Sequence, residues 1–451
     1  MGLEAVSESG RLPAVQEQLA KTYGDLYTVW LGQTPIIVLN GCKVIREALV
    51  SHAEEFSGRP TTTILADLLG ERGIVMSNGQ TWKQQRRFGL TTLRNLGLGK
   101  RSLEERIKEE AQHLMEVFAR KKGTPLDPAS PITNSVTNVI SALVFGHRFS
   151  VEDGLFSQLV EATDSLVENL GSFWSRLYDA FPRLMPYIPG SHHKVFQCQD
   201  FLKRFVKKEI RSHRERGRLD EPQDLIDFYD SQILKTKDDP NAMYDEENMV
   251  QVMIDLFVAG TETTTTTLRW ALLYMVTYPE IQEKVQKELD AVLGSSQIIH
   301  YEDRKRLPYT NAVIHEIQRF GNIAGFGIVR QCVKETNLQG FTVSKGTIIL
   351  PNISSALYDP EHWETPRQFN PSHFLDKEGN FVTKDAFIPF SAGHRVCFGE
   401  QLARTELFIF FCSLLQAFTF QLPDGVKKIS LDYIFGATLK PYPYKICAVP
   451  R

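Results

Sequence analysis

Phe390-Ser-Ala-Gly393-His-Arg395-Val-Cys397-Phe-Gly399-Glu-Gln-Leu-Ala403 is the stretch on which the reading of this chain turns. A lone cysteine stands in a loop between two glycines, with an arginine two residues before it. A near-continuous apolar run of helical length, Leu407 to Phe418, follows. Glycine, lacking Cβ, lets backbone come close to a flat ligand. A thiolate beside a guanidinium and a helix N-terminus is held deprotonated and binds a soft metal. The arrangement suggests a cysteine loop laid against one face of a metal macrocycle. Taken alone, Cys397 would more often be a small buried hydrophobe. The spacing Phe390-x-x-Gly393-x-Arg395-x-Cys397-x-Gly399 reverses that preference.

Composition sets the bounds. A chain of 451 residues, 42% hydrophobic and 23% charged, is either two domains or one large multilayered one. The net charge of −3 gives no reason to expect nucleic acid. Cys42, Cys198, Cys332, Cys397, Cys412 and Cys447 are scattered without Cys-x-x-Cys pairing, so neither a disulfide framework nor a zinc ribbon is suggested. No apolar run reaches the roughly 20 residues that span a bilayer. The opening Met-Gly-Leu-Glu-Ala-Val has neither a signal peptide's pattern nor a myristoylation pattern, so the chain as written reads as soluble or peripheral.

Along the chain, Leu26 to Leu39 reads as a β-hairpin broken at Gly32 to Pro35. Trp82 and Arg86 share a helical face and aim an indole N–H and a guanidinium at a carboxylate, or else form a basic surface helix with a packed indole. Ser102 and Glu105 predict a capping box for a long amphipathic helix, and Ser130-Pro131 caps another that Gly146 stops. From Val151 to Tyr229 the pattern is helical apart from the apolar, proline-rich Phe181 to Gly190, which is either a core plug or a surface that touches lipid. Asp245 to Thr277 is the longest helical stretch. Its centre, Ala259-Gly-Thr-Glu-Thr263 and four more threonines, is poor helix material, which predicts a bent or widened turn holding a hydroxyl and a carboxylate beside a ligand. Glu316 and Arg319 lie three apart on a further helix, the spacing of a surface ion pair. Pro366 to Phe374 is irregular, with fixed-φ prolines.

Trp82-x-x-x-Arg86, Ala259-Gly-x-Glu262-Thr263, Glu316-x-x-Arg319, Pro366-x-x-Phe-x-Pro371-x-x-Phe374 and the cysteine loop stand in an order that resembles the cytochrome P-450 superfamily over essentially the whole chain. Segments such as Trp-Lys-Gln-Gln-Arg-Arg-Phe and Glu-Gln-Leu-Ala-Arg-Thr-Glu-Leu-Phe look like the vertebrate microsomal family two, and within it the arachidonate-epoxidising and drug-oxidising members. The resemblance implies a mainly α fold with small β-sheets (α+β), residues 1–451 forming one haem-thiolate monooxygenase domain without the membrane anchor. A long helix and the cysteine loop would enclose haem b (iron protoporphyrin IX). Cys397 would be the axial thiolate whose electron donation favours O–O cleavage. Phe390 would pack beside the loop, while Gly393 and Gly399 admit the porphyrin. Trp82, Arg86 and Arg395, assisted by Arg59 and Arg330, would hold the propionates. Thr263 and Glu262 would deliver protons to dioxygen, and Glu316, Arg319 and His373 would form a structural ion network.

The resemblance further implies electrons from NADPH through NADPH–cytochrome P-450 reductase, with cytochrome b5 a further partner. It places the enzyme on the cytoplasmic face of the endoplasmic reticulum membrane, acting on unsaturated fatty acids or xenobiotics as an unspecific-type monooxygenase. The basic residues Lys83, Arg86, Arg87, Arg94, Lys100 and Arg101 offer acidic partners a docking surface, or are merely solvated. His394 stands where this branch often has lysine. Pocket walls are expected from Ile64 to Leu69, Phe173, Asp255, Phe257, Val258, Ala259, Ile323, Phe326 and Phe435, mostly apolar and suited to a lipophilic substrate. The alternatives are a haem-thiolate isomerase or peroxygenase, or a catalytically silent haem- or ligand-binding protein. The Glu262–Thr263 pair favours the monooxygenase.

Overall fold

The computed structural model describes residues 12–61, 63–217, 221–294 and 297–451. The reading of the first residues, with its missing anchor, lies outside the described part. The molecule is built around one helix, Glu246–Thr277, 32 residues long and buried on nearly every face. Asp245 caps its start by accepting from the amide of Asn248, and Tyr278-Pro279 ends it, since proline supplies no amide and disfavours a helical residue before it. A helix apolar all round belongs in a core. Helices Arg101–Arg120, Ala129–Val144, His192–Arg216, Pro308–Gly321 and Glu400–Ala417 pack about it.

The sheets are small. The largest takes Leu26–Leu31, Thr34–Leu39, Ile348–Pro351 and Arg330–Gln331 in that spatial order, and its middle pair is parallel with Ile36 opposite Ile348. A second apolar cluster, with Ile45, Phe56, Ile349, Trp363 and Phe374, lies against this sheet.

Four local expectations are corrected. The long helix is unbroken α-helix through its threonines: Thr263 Oγ1 donates to Ala259 O at 2.7 Å and Thr267 Oγ1 to Thr263 O at 2.8 Å, so the hydroxyls satisfy themselves on the preceding turn without opening it. No capping box forms at Ser102, because the helix starts at Arg101, one residue before the serine that should precede it. The next helix begins at Ala129, whose amide is taken by Asp127, so Ser130-Pro131 lies inside its first turn. The turn of the first hairpin is tighter than expected, only Gly32-Gln33.

Candidate functional site

The cysteine loop is held by its own backbone and by one close contact. The amide of Cys397 donates to Phe390 O at 2.9 Å, and the helix that follows starts at Glu400. Gly393 has φ +72°, and a Cβ there would lie 1.6 Å from Leu49 O. Its glycine is therefore required by packing against the chain at Leu49. A Cβ on Gly399 would meet nothing within 4 Å, so the space beside it is open. Helix Gly79–Asn95 lies across the loop, with Gly89 leaving room for the Phe398 ring and Arg86 Nη2 donating to Val396 O at 2.8 Å.

Cys397 is exposed by surface area yet densely surrounded by protein, the combination expected of a side chain facing an interior space. Burial pushes its thiol pKa up. The Gly399 amide, Arg86 and Arg404 pull it down, and Glu400 adds to the rise. The guanidinium and the helix start thus do not hold the thiol deprotonated by themselves, contrary to expectation. A coordinated metal deprotonates such a thiol outright.

Four guanidinium groups converge on this loop. Arg395 donates to Ser57 O, Ile74 O and Ser77 O and lies 4.1 Å over the Trp82 ring. Arg59 donates to Val75 O, Ile328 O and Val329 O. Arg330 reaches Ser391 Oγ and Arg395 O. With Arg86 they make a cluster in which no guanidinium has a carboxylate partner among the described residues. Burial and then mutual repulsion push Arg59 and Arg395 down to about 9, and Arg330 well below its ordinary value. Arginine does not give up its proton in proteins, so the depression measures how strongly the cluster calls for an anion. Trp82 Nε1 and Arg330 Nε are also buried without partners. A soft-ligand thiol beside a cation cluster lacking its anions fits a macrocycle with carboxylate arms, as haem is. Trp82 and these arginines would hold the carboxylates.

Between the loop and the long helix is an interior space lined by Thr263, Thr264, Thr267, Asn322, Ile323, Phe390, Ala403 and Leu407. Phe390 lies in that wall with Arg404 4.8 Å over its ring. Among the expected pocket residues, Val258, Phe326 and Phe435 are half-buried, Ala259 and Phe173 are exposed and Ile64 is buried. Phe257 is turned away from Thr263. Six residues on a helix rotate by roughly 600°, leaving the two about 120° apart, and Phe257 packs on Phe145 in the core. Asp255 does not face a pocket either; it accepts from the amides of Ile74 and Val75 at 2.7 and 3.0 Å.

Glu262 is buried, and its carboxylate is bound to Thr438 Oγ1 (2.5 Å), Thr266 Oγ1 (3.1 Å) and Lys440 Nζ (3.1 Å). As the neighbour of Thr263 it projects about 100° around the helix, and the structure brings no contact between the two side chains. Glu316, Arg319 and His373 do meet. Arg319 makes two 2.7 Å bonds to Glu316, His373 Nδ1 lies 3.2 Å from the same carboxylate, and all three are buried. Sequence reading missed Lys440 and Thr438, Glu406, and the carbonyls of residues 57–77. None carries a local pattern, since each meets the site only through the fold.

The family description "Cytochrome P450" matches residues 3–448. Cytochrome P450 2J2 of Homo sapiens is 47% identical over 431 residues, covering 96% of this chain and 86% of that protein. Cytochrome P450 2J5 of Mus musculus is 45% identical over 439 residues, 97% and 87% of the two chains, and 2B19 of the same species is 42% identical over 435 residues, 96% and 88%. The chain belongs to the cytochrome P450 family, as a haem b-dependent monooxygenase of fatty acids and xenobiotics that draws electrons from NADPH through a reductase.

Proposed function

We propose that this chain is a microsomal, unspecific-type monooxygenase in a single domain, with Cys397 as the iron ligand and Trp82, Arg86, Arg395, Arg59 and Arg330 around the propionates. The observation that carries the site assignment is the cluster of arginines without a carboxylate, with Trp82 Nε1 and Arg330 Nε unpartnered, next to Cys397, whose thiol is exposed where the other five are buried or half-buried. Haem, when bound, supplies dioxygen activation and oxygen insertion into a C–H or C=C bond. The protein's part is to bind, orient and ration protons. Thr263 places a hydroxyl in the wall of the space facing the loop, with its proton donated to Ala259 O and its oxygen left to accept. Glu262, held by Lys440, is the acid one residue away that replenishes a proton after a change of rotamer. Mostly apolar walls keep bulk water out while admitting a lipophilic substrate such as an unsaturated fatty acid.

Docking follows from two surfaces. Lys83, Arg87, Arg94, Lys100 and Arg101 are exposed on the side of the cysteine loop, which suits acidic partners such as NADPH–cytochrome P-450 reductase and cytochrome b5. On another surface, Trp30, Phe181, Leu184 and Tyr187 are exposed apolar groups, and the turn at Gly32 packs on Ala180, so hairpin and loop form neighbouring parts of one apolar edge. Such an edge fits the surface of the endoplasmic reticulum membrane, and among the described residues no helix is long and apolar enough to cross one.

The test is the reduced carbon-monoxide spectrum of wild type and Cys397→His. Loss of the red-shifted Soret band is expected in the variant, and its persistence would sink the ligand assignment. Turnover with reductase and NADPH on polyunsaturated fatty acids and lipophilic drugs, with products read by mass spectrometry, decides the substrate class. Activity with added peroxide alone would overturn the monooxygenase cycle.

A further inference from the structure

The long helix and helix Glu400–Ala417 both line the interior space, the first with Thr263, Thr264 and Thr267 and the second with Ala403 and Leu407. Among the described residues, one side-chain hydrogen bond joins them: Thr264 Oγ1 donates to Glu406 Oε2 at 2.9 Å. Glu406 is 1% exposed and its other oxygen has no partner. A buried carboxyl without a cation is costly, and one kept at such a place has a task beyond packing.

We propose that Glu406 is a positioning residue: through Thr264 it fixes the turn of the long helix that carries Thr263 against the helix that leaves the cysteine loop. The distance between the hydroxyl that manages protons and the ligand loop is then set by this brace rather than by apolar packing, which tolerates sliding. The inference rests on the proposed role of Thr263.

The carboxyl suits the task because it is uncharged. Burial lifts its pKa to about 8, opposed only by the Thr264 bond. Charged and titratable groups on the elements around it are engaged elsewhere: Glu110 with Arg148, Glu288 with the amides of Tyr309 and Thr310, and His315 with Arg404. A neutral carboxylic acid holds its hydrogen bond without attracting the counter-ion or water that a carboxylate would need.

The experiment uses the haem-loaded chain with reductase and NADPH, comparing Glu406→Gln, Glu406→Leu, Thr264→Val, the Leu/Val double variant and Thr263→Ala. It reads electrons lost to peroxide per product, the ferric spin-state spectrum, and Tm against pH. Glu406→Gln should keep wild-type coupling. Because the folded carboxyl binds its proton more tightly than the unfolded one, wild-type Tm should fall relative to Glu406→Gln as pH rises from about 4.5 to 8. Glu406→Leu and Thr264→Val should each raise the peroxide share roughly tenfold, since small misplacements of a reacting group are expensive, and the double variant should be no worse than the larger single. Where Thr263→Ala raises the peroxide share, a lowered Tm with unchanged peroxide share in both single variants would reduce Glu406 to a packing residue and overturn the proposal. If Glu406→Leu fails to take up haem, Thr264→Val decides by the same criterion. Should Thr263→Ala leave the peroxide share unchanged, the proton reading fails, and the brace stands or falls on Tm. Non-additive losses in the double variant support it, and additive losses overturn it.

Discussion

Two groups of arginines are buried in this protein, and they treat their charge in opposite ways. Arg319 is fully enclosed with Glu316, donates three further bonds to the carbonyls of Leu357, Pro366 and Gln368, and is backed by His373 and by the Trp363 ring 5.1 Å away. Every donor is used. In the cluster, Arg59, Arg330 and Arg395 are nearly as buried and Arg86 is half-buried, but the four are held by carbonyl oxygens and the Ser391 hydroxyl without a carboxylate, with Arg330 Nε left over. Dipoles solvate a cation without cancelling it. A closed network states that the fold is finished, whereas an open one states what must still arrive. The physical mark of the proposed binding site is thus a deficit of anions rather than an abundance of cations.

The comparison is broken most severely at the closed network. Glu316→Ala leaves a buried guanidinium without its anion, also removes the acceptor of the Asn370 amide, and should cost about 3–5 kcal/mol. Chemical denaturation of the haem-loaded protein reads this. The loss should be as large in the haem-free form, because no bound group takes part.

At the open cluster the expected result has the other sign in the haem-free form. Arg395→Met removes a cation that has no anionic partner there, so the haem-free Tm should fall far less than in Glu316→Ala, hold or rise, while haem should dissociate faster. A charge-assisted bond of about 2 kcal/mol corresponds to roughly thirtyfold. Measuring haem transfer to a scavenger protein and haem-free Tm on the same variant separates the two effects. A drop in haem-free Tm comparable to that of Glu316→Ala would mean that the cluster is closed after all.

How much of this was legible beforehand follows the same division. Arg395 and Cys397 sit in one short pattern and Trp82 and Arg86 in another, and the Glu316–Arg319 pair is set by a single helical turn. Arg59 joins the cluster through the carbonyls of residues 75, 328 and 329 and Arg330 through the Ser391 hydroxyl and the Arg395 carbonyl, which no spacing reveals. Phe257 and Asp255 were misread for a different reason. They neighbour the motif in sequence, but a helix buried on all faces has no polar side to give the phase, so which residues turn toward the ligand is decided by neighbours such as Phe145. The threonine run was expected to open the helix; Thr263 and Thr267 bond back to the preceding turn and the helix stays closed.

Asp255 offers the finest test, because it stands behind the open cluster. Its Oδ2 accepts from the amides of Ile74 and Val75, and its Oδ1 from Gln251 Nε2 at 2.8 Å. The carbonyls of Ile74, Val75 and Ser77, in the same segment, hold Arg395 and Arg59. Gly73, with φ +72°, brings that segment so near that a Cβ would lie 2.4 Å from the carboxylate. Burial raises the Asp255 pKa to about 6 from 3.8 despite these three bonds. The folded protein therefore binds this proton more tightly than the unfolded chain, and the contribution is greatest below about pH 4 and lost as pH rises through about 6. Asp255→Asn keeps an oxygen for the two amides and cannot titrate. From pH 7 to pH 5 the wild type should gain about 1 kcal/mol on the variant, measured by denaturation at each pH, and haem should leave the variant no more than a few times faster at pH 7. Parallel stability curves would show that the carboxylate is ionised throughout, and that the amides of the segment, rather than burial, set its charge.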